Sequence, residues 1–131
     1  MYLLDTNICV YFMNGKFDLA NKIRLIGLRN CYISEITVAE LKFGVENSQQ
    51  IEKNKERLEI FLQKLQIIPI IEALDLYAKE KARLRKIGTT IDDFDLLIGV
   101  TSLAHNMVMV TNNTEHFSRI KEIKLEDWTK N

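Results

Sequence analysis

Short apolar runs alternate with longer amphipathic segments along this chain of 131 residues. The apolar runs lie at 2–4, 31–34, 67–71 and 107–111, and the segments between them place apolar residues at every third or fourth position. That spacing is typical of helices. Strands that alternate with helices favour a parallel sheet covered by helices on both faces. The sequence therefore predicts an α/β fold with three α/β/α layers around a central, mostly parallel sheet of four to five strands.

The amphipathic segments have recognisable ends. A helix is expected from Thr6 to about Phe12, and further helices are expected at 35–44, 50–66, 74–86 and 92–105. Gly88 suits the position just after a helix, because glycine accepts the left-handed conformation there. Pro69 lacks an N–H group to donate, so the run 67–71 is expected at an edge or at a strand end.

Composition bounds the class of protein. A content of 47% hydrophobic residues is enough to build a core, and residues 1–131 are expected to form a single domain. Lys+Arg and Asp+Glu number 18 each, which argues against a strongly basic protein that coats nucleic acids. The balance leaves open a local separation, with acids in a pocket and bases around it.

Cellular location is inferred from what the sequence contains. Cys9 and Cys31 each lie among apolar or aromatic residues without a CxxC partner, so both are expected to be buried thiols in a reducing compartment. The N-terminal residues lack a signal-peptide pattern, and no apolar run approaches about 18 residues, the length of a membrane-spanning helix. A cytoplasmic protein that does not enter a membrane is expected.

Acidic and polar side chains occur where a ligand site of such a sheet should lie, beyond the carboxyl ends of the strands. Asp5 ends the first strand, and Thr111 and Asn113 follow the last long strand. Glu40 borders the apolar stripe of its helix, and Asp95 lies in the first turn of another helix. We expect these groups to converge at one edge of the sheet.

Converging carboxylates repel one another, and a hard divalent cation removes that cost. Oxygen donors without His or Cys favour Mg²⁺ or Mn²⁺ over zinc. The expected metal-binding acids are Asp5, Glu40 and Asp95, with Asn113 as a neutral oxygen donor. A metal held in this way suits hydrolysis of a phosphodiester bond.

Each of these residues also has a purely structural interpretation. Asp5 is a suitable helix N-cap, and the helix dipole alone would favour Asp95. Glu40 could lie at the edge of the surface, and Asn113 could be a turn residue. The alternative hypothesis is a binding module with weak or no catalytic activity.

Four motifs resemble, in order and spacing, those of PIN-domain nucleases, and together they resemble the VapC-type toxins of prokaryotic toxin–antitoxin pairs. The motifs are the segments 2–8, 36–44, 92–98 and 110–117, and the ending 124–128 adds to the match. The resemblance covers nearly the whole chain and implies a PIN-like domain. It also implies a metal-dependent endoribonuclease that hydrolyses RNA, such as tRNA or rRNA, with a metal-activated water. The products would carry a 5′-phosphate and a 3′-hydroxyl.

The resemblance assigns roles to individual residues. It makes Asp5, Glu40 and Asp95 the metal-binding acids and places Asn113 where many members have a fourth acid. Supporting roles are implied for four further residues. They are Thr6 and Asn7, which would orient Asp5, Thr111, which would hold a water on the metal, and Asp92 as an accessory acid.

The same resemblance implies partners: the RNA substrate, a small cognate antitoxin and a second copy of this chain, with a higher assembly including the antitoxin. Basic clusters at 53–57 and 79–86 are candidates for RNA contacts, although either could be the solvated face of its helix. Neither His105 nor His116 is assigned to catalysis. A DNA-directed flap or repair nuclease is a third hypothesis, against which the short chain argues.

Overall fold

The computed structural model describes residues 1–130. The strands are β1 (Tyr2–Leu4), β2 (Cys31–Ser34), β3 (Gln66–Ile68), β4 (Val108–Val110) and β5 (Leu125–Glu126). The helices are α1 (Thr6–Met13), α2 (Leu19–Ile26), α3 (Glu35–Glu46), α4 (Ile51–Lys64), α5 (Leu74–Lys86), α6 (Asp93–Ala104) and α7 (Thr114–Phe117). All five strands pair in parallel in one sheet, in the order β3-β2-β1-β4-β5. The predicted α/β class and the parallel sheet are confirmed.

Alternation along the strands builds a core on each face of the sheet. Leu4 packs into a cluster with residues of α1 to α4, whereas Leu3 packs into a second cluster with residues of α5 to α7. Met109 and Val110 divide between the two clusters in the same way. Because successive side chains of a strand point to opposite faces, a strand covered on both sides must be apolar throughout. This explains why the strands read as short continuous apolar runs.

The strand order reverses beside β1. The chain first adds β2 and β3 on one side of β1 and then crosses to add β4 and β5 on the other side. Crevices at such a reversal are the usual ligand sites of parallel sheets. The residues that follow β1 and β4, Asp5 and Thr111, therefore lie beside that crevice.

The third strand is shorter than the sequence predicts. The run expected at 67–71 is a strand only at Gln66–Ile68, and it is followed by a 3₁₀ turn at Ile71–Ala73. The strand ends at Pro69, which has no N–H to donate to a sheet, and the next N–H group, of Ile70, donates to Glu35 Oε1 at 2.8 Å instead. β3 is an edge strand, as the proline predicted.

The sequence pattern does not predict helix α2. Its apolar contact with the core rests on two buried residues, Leu19 and Ile23, a pattern too short to stand out in the sequence. Phe17 and Asp18 before it both have positive φ, of 58° and 54°, and non-glycine residues rarely adopt that conformation. The helix is therefore set by packing rather than by a local start signal.

Other expectations are met. Gly88 follows α5 with a φ of 75°, in the left-handed region that glycine accepts. Cys9 and Cys31 are buried and free, and burial raises the pKa of both thiols, to about 11 for Cys31. Within residues 1–130, no helix combines the length and the apolar character that crossing a membrane would require.

Candidate functional site

Asp5 lies directly after β1, at the reversal of strand order, and only 6% of its surface is exposed. Its backbone N–H donates to the carbonyl of Val110 at 2.9 Å, which fixes it beside the end of β4. Its Oδ1 accepts from the backbone N–H of Thr6 at 2.8 Å, and its Oδ2 accepts from the hydroxyl of Thr111 at 2.8 Å. Asp5 is thus both the N-cap of α1 and a carboxylate held between the ends of two neighbouring strands.

The electrostatic surroundings of Asp5 are unfavourable to its charge. Burial raises the pKa of Asp5 to about 6, while the hydrogen bonds from Thr111 and Thr6 oppose the rise and the charges of Asp95 and Glu40 add to it. Within residues 1–130, no lysine or arginine forms an ion pair with any of these three acids. Buried carboxylates are normally paired or bound to metal. A cation would supply the missing counter-charge.

Glu40 projects from the middle of α3 and is half-buried. The hydroxyl oxygen of Thr6 lies 2.6 Å from Glu40 Oε1 and 3.0 Å from the hydroxyl oxygen of Thr37. A hydroxyl has one hydrogen, so Thr6 donates to the carboxylate and accepts from Thr37. Thr6 therefore connects Asp5, through its backbone, with Glu40, through its side chain.

Asp95 is the third residue of α6 and is half-buried. Burial is the main cause that raises its pKa; the charge of Asp92 adds to the rise, and His116 opposes it. His116 Nε2 lies 3.2 Å from Asp95 Oδ2. Asp92 is the N-cap of α6, and its Oδ2 accepts from the N–H of Phe94 at 3.2 Å.

Asn113 and Asn7 have no direct side-chain hydrogen bond to Asp5 within residues 1–130. Asn113 is the N-cap residue of α7 and is exposed, and its backbone N–H donates to the hydroxyl oxygen of Thr111 at 3.0 Å. Asn7 is exposed on the first turn of α1 and makes no side-chain hydrogen bond to Asp5 in the described residues. The structure thus joins Asp5 to Thr6 and Thr111 and leaves Asn7 outside this network.

His116 was not expected at the site. It reaches Asp95 from α7, a helix of four residues, across a separation of 21 positions. The only local signal is that His116 lies inside the motif 110–117, three residues after Asn113. That spacing puts a side chain on the same end of the sheet as Asp5.

The donor set fits a hard divalent ion in type and in charge. In the part of the chain from 1 to 130, no three or more His, Cys, Asp or Glu side chains lie together in a group that could hold a metal ion. Threonine hydroxyls hold Asp5 and Glu40, His116 contacts Asp95, and the charges of Glu40 and Asp95 both act on Asp5. Few protein ligands of carboxylate type, with waters completing the shell, are what Mg²⁺ normally takes.

An apolar cleft of about 270 Å³ adjoins Glu40, one of the three acids. It lies between α1, α3 and α4; Thr6 and Glu40 line it together with apolar residues, Val10 and Leu41 among them. Val10 is exposed, so the cleft continues to the surface. The cleft therefore opens to the surface beside Glu40.

The two basic clusters differ from a simple cationic face. In 79–86, Lys81 pairs with Asp93 at 2.7 Å and Arg83 pairs with Glu80 at 2.6 Å, which leaves Lys79, Arg85 and Lys86 exposed at the surface. In 53–57, Arg57 donates to the carbonyl of Met13 at 2.9 Å. In both runs, therefore, some basic side chains already form ion pairs or hydrogen bonds within the chain.

Comparison with known proteins adds to this geometry. The family model described as PIN domain matches residues 2–123. Ribonuclease VapC2 of Rickettsia felis is 41% identical over an alignment of 133 positions, which covers 99% of this chain and 99% of that protein. The tRNA(fMet)-specific endonuclease VapC of Shigella flexneri is 30% identical over 130 residues, 98% of each chain.

A solved structure is also similar. The crystal structure of VapBC2 from Rickettsia felis bound to a DNA fragment from their promoter superposes with a TM-score of 0.88 at 37% identity, covering 97% of this chain and 98% of that one. Similarity of fold and sequence therefore extends over nearly the full length of both chains.

Proposed function

The chain belongs to the PIN-domain family and, within it, to the VapC ribonucleases of toxin–antitoxin systems, and on this basis we propose that it is an endoribonuclease that depends on Mg²⁺ or Mn²⁺. In this proposal residues 1–131 act as one PIN domain. Asp5, Glu40 and Asp95 hold the ion, and Asn113 supplies a neutral oxygen at the start of α7. The observation that supports the proposal is the buried carboxylate of Asp5. Burial and the negative charges of Asp95 and Glu40 raise its pKa, and no lysine or arginine in residues 1–130 pairs with it.

When bound, the metal ion lowers the pKa of water and neutralises charge on the phosphate. The chain's own residues fix the geometry. Thr111 and the N–H of Thr6 hold the two oxygens of Asp5, and the Thr6 hydroxyl holds Glu40. Because a water rather than the ribose 2′-hydroxyl attacks, the products carry a 5′-phosphate and a 3′-hydroxyl. Asp92 acts as an accessory acid through its charge on Asp95.

The substrate we propose is structured RNA, with tRNA as the first class to test. A relative with 30% identity over 98% of this chain is named as specific for tRNA(fMet). The exposed basic side chains of Lys79, Arg85 and Lys86 are candidates for contacts to the phosphate backbone of the RNA. A compartment that holds RNA and keeps Cys9 and Cys31 reduced is the cytoplasm, where we propose that the protein acts.

The partners we propose are a small antitoxin and a second copy of this chain. A solved VapBC2 complex has 37% identity to this chain. The cleft between α1, α3 and α4 is apolar, opens to the surface and ends at Thr6 and Glu40. An apolar segment of the antitoxin in this cleft would cover the acids and block access of RNA.

The proposal is tested by incubating the purified chain with total tRNA and Mg²⁺, with and without EDTA, beside Asp5→Ala and Asp95→Asn. We expect cleavage to fall by about 100-fold or more with EDTA and in both variants. Asp93→Asn is the matched control, because Asp93 lies two residues from Asp95 but is exposed and pairs with Lys81. Cleavage that survives chelation or either site substitution contradicts the proposal. Saturable Mg²⁺ binding without cleavage of tRNA or rRNA would favour a silent binding module instead.

A further inference from the structure

His116 brings a nitrogen donor to a site otherwise built from oxygen donors. Its Nε2 lies 3.2 Å from Asp95 Oδ2, and its side chain is 22% exposed, so the ring is partly enclosed and still accessible. The neighbouring Phe117, which is buried in the core, packs edge-on against the imidazole with a centroid distance of 5.2 Å. The imidazole therefore packs between Asp95 and the residue that anchors α7 in the core.

The segment that carries His116 also holds Asp5. Thr111 donates to Asp5 Oδ2 and accepts from the N–H of Asn113, and α7 begins at the next residue. Residues 111–116 therefore contact the acid after β1 and the acid of α6 at the same time. A short span of backbone fixes the position of the imidazole relative to both carboxylates.

The separation of Nε2 and Oδ2 suits two ligands of one ion. Adjacent ligands of an octahedral ion with bonds of about 2.1 Å lie about 3 Å apart, close to the 3.2 Å observed. Mg²⁺ takes oxygen ligands almost exclusively, whereas the first-row transition ions accept imidazole readily. An imidazole at this position therefore separates the two classes of ion.

Resting on the proposed function, we propose that His116 is a metal ligand that makes this site select Mn²⁺ over Mg²⁺. Asp95 and His116 bind the same ion through Oδ2 and Nε2, and Asp5 and Glu40 move toward that ion when it binds, since no three of these side chains form a metal-binding group in the metal-free chain within residues 1–130. A nitrogen ligand strengthens binding of Mn²⁺ and contributes little to binding of Mg²⁺. The nuclease then works with the transition ion at concentrations where Mg²⁺ alone leaves the site poorly filled.

The test measures binding of the metals themselves. The dissociation constant for Mn²⁺ is obtained on the full chain from the electron paramagnetic resonance signal of the free ion, and that for Mg²⁺ from competition. For His116→Gln we expect the preference for Mn²⁺ over Mg²⁺ to fall by about tenfold or more, through weaker Mn²⁺ binding. His105→Gln is the matched control, because His105 ends α6 beside Glu72, away from the acids, and its preference should match that of the wild type.

A second measurement needs no substitution. In the wild-type chain loaded with Mn²⁺, electron spin echo modulation should show a directly bound ¹⁴N, and labelling the histidines with ¹⁵N should replace that signal. An unchanged Mn²⁺ to Mg²⁺ ratio in His116→Gln, or no nitrogen coupling, overturns the inference and leaves the proposed nuclease intact. If neither ion binds the wild type at all, the proposed metal-dependent function itself fails.

Discussion

The carboxylate of Asp5 caps α1 and is also the most buried of the three site acids, so its charge is costly whenever no cation is bound. Its two oxygens are already engaged by Thr6 and Thr111, and these hydrogen bonds only partly offset the loss of water. The buried charge of Asp5 therefore lowers the stability of the metal-free chain and raises the affinity of the site for a cation. Removing its charge should therefore stabilise the metal-free chain while destroying the site.

For Asp5→Asn we predict a more stable metal-free protein at pH 7.5, by about 1 to 3 kcal/mol. The pKa of Asp5 is about 6 in the folded chain against 3.8 as reference, so between these values the folded state binds more protons than the unfolded state. Asp5 should therefore make the stability of the wild type fall as pH rises from about 4 to about 6, and the variant should lose the part of this slope that Asp5 contributes. Asp95, whose pKa is also raised, keeps its own contribution in the variant.

Urea unfolding in EDTA across this pH range measures both effects. The exposed Asp75→Asn, in the first turn of α5, is the control and should keep the wild-type slope. A variant at Asp5 that is less stable than the wild type at pH 7.5 would show that the two hydrogen bonds outweigh the burial of charge.

Thr6 acts on the site through Glu40, so we describe it as a positioning residue. Thr6→Val removes the hydroxyl 2.6 Å from Glu40 Oε1 at nearly constant shape. A hydrogen bond to a charged group contributes about 1.5 to 3 kcal/mol, so kcat/KM for RNA should fall about 10- to 100-fold.

A double-mutant cycle separates positioning from a general structural loss. In a Glu40→Gln background, Thr6→Val should have little further effect on activity, because the two side chains act as one unit. Thr101→Val is the matched control, since the buried Thr101 hydroxyl donates only to the carbonyl of Leu97 in its own helix. Full additivity of the two site substitutions would contradict the role of Thr6.

Among single residues, the sequence identified those that directly follow the end of a strand. Asp5 and Thr111 come directly after β1 and β4, and the carboxyl ends of parallel strands meet at one edge, so their proximity was predictable. The contact of His116 with Asp95 was not, because it depends on how the four-residue α7 packs against α6. Asp5 was expected as a ligand or as a cap; the structure shows that it caps α1, and its role as a metal ligand stays a proposal.

At the scale of elements, two mid-helix glycines have opposite surroundings. A Cβ at Gly99 of α6 would meet the Cδ1 of Ile120 well inside van der Waals contact, and Ile120 is itself buried. A Cβ at Gly44 of α3 would meet nothing within 4 Å. Gly99 therefore lets the segment after α7 pack closely on α6, whereas Gly44 contributes no such contact.

We predict that Gly44→Ala stabilises the chain by about 0.5 to 1 kcal/mol and that Gly99→Ala destabilises it. Alanine favours a helix over glycine by about 1 kcal/mol at either position. At Gly99 this gain is exceeded by overpacking, which typically costs about 1 to 3 kcal/mol. Chemical denaturation of the two variants in parallel measures the difference. Stabilisation by both substitutions would mean that Ile120 moves aside at little cost.

Elements were predictable where a local signal was strong. The amphipathic pattern and Gly88 set α5 correctly at Leu74–Lys86, but the apolar run 67–71 extended the strand beyond Pro69. Apolar residues after the proline do not make a strand, because backbone N–H groups there bond elsewhere, as Ile70 does to Glu35. Helix α2 depends on tertiary packing of Leu19 and Ile23, which a local pattern cannot show.

On the scale of the whole molecule, topology brings the charges together. The formal net charge is zero, yet the charges of Glu40 on α3 and Asp95 on α6 both act on Asp5, which follows β1 where the strand order reverses. Basic side chains such as Lys79 and Lys86 lie on the surface. Neutrality is therefore a sum of separated charges rather than an even distribution. A cation at the acids relieves their mutual repulsion and should favour the folded chain as a whole.

Binding that is specific to the folded state must raise its stability. At a free Mg²⁺ concentration ten times the dissociation constant, the gain is about 1.4 kcal/mol, which for a chain of this size raises Tm by about 3 to 6 °C. We predict this rise for the wild type in a thermal melt at constant ionic strength and a rise below about 1 °C for Asp95→Asn. Asp93→Asn should behave like the wild type, because Asp93 is exposed and already paired with Lys81. If Mg²⁺ raised the Tm of Asp95→Asn as much as that of the wild type, the ion would bind elsewhere on the surface, because removing the charge of Asp95 would not have weakened its binding.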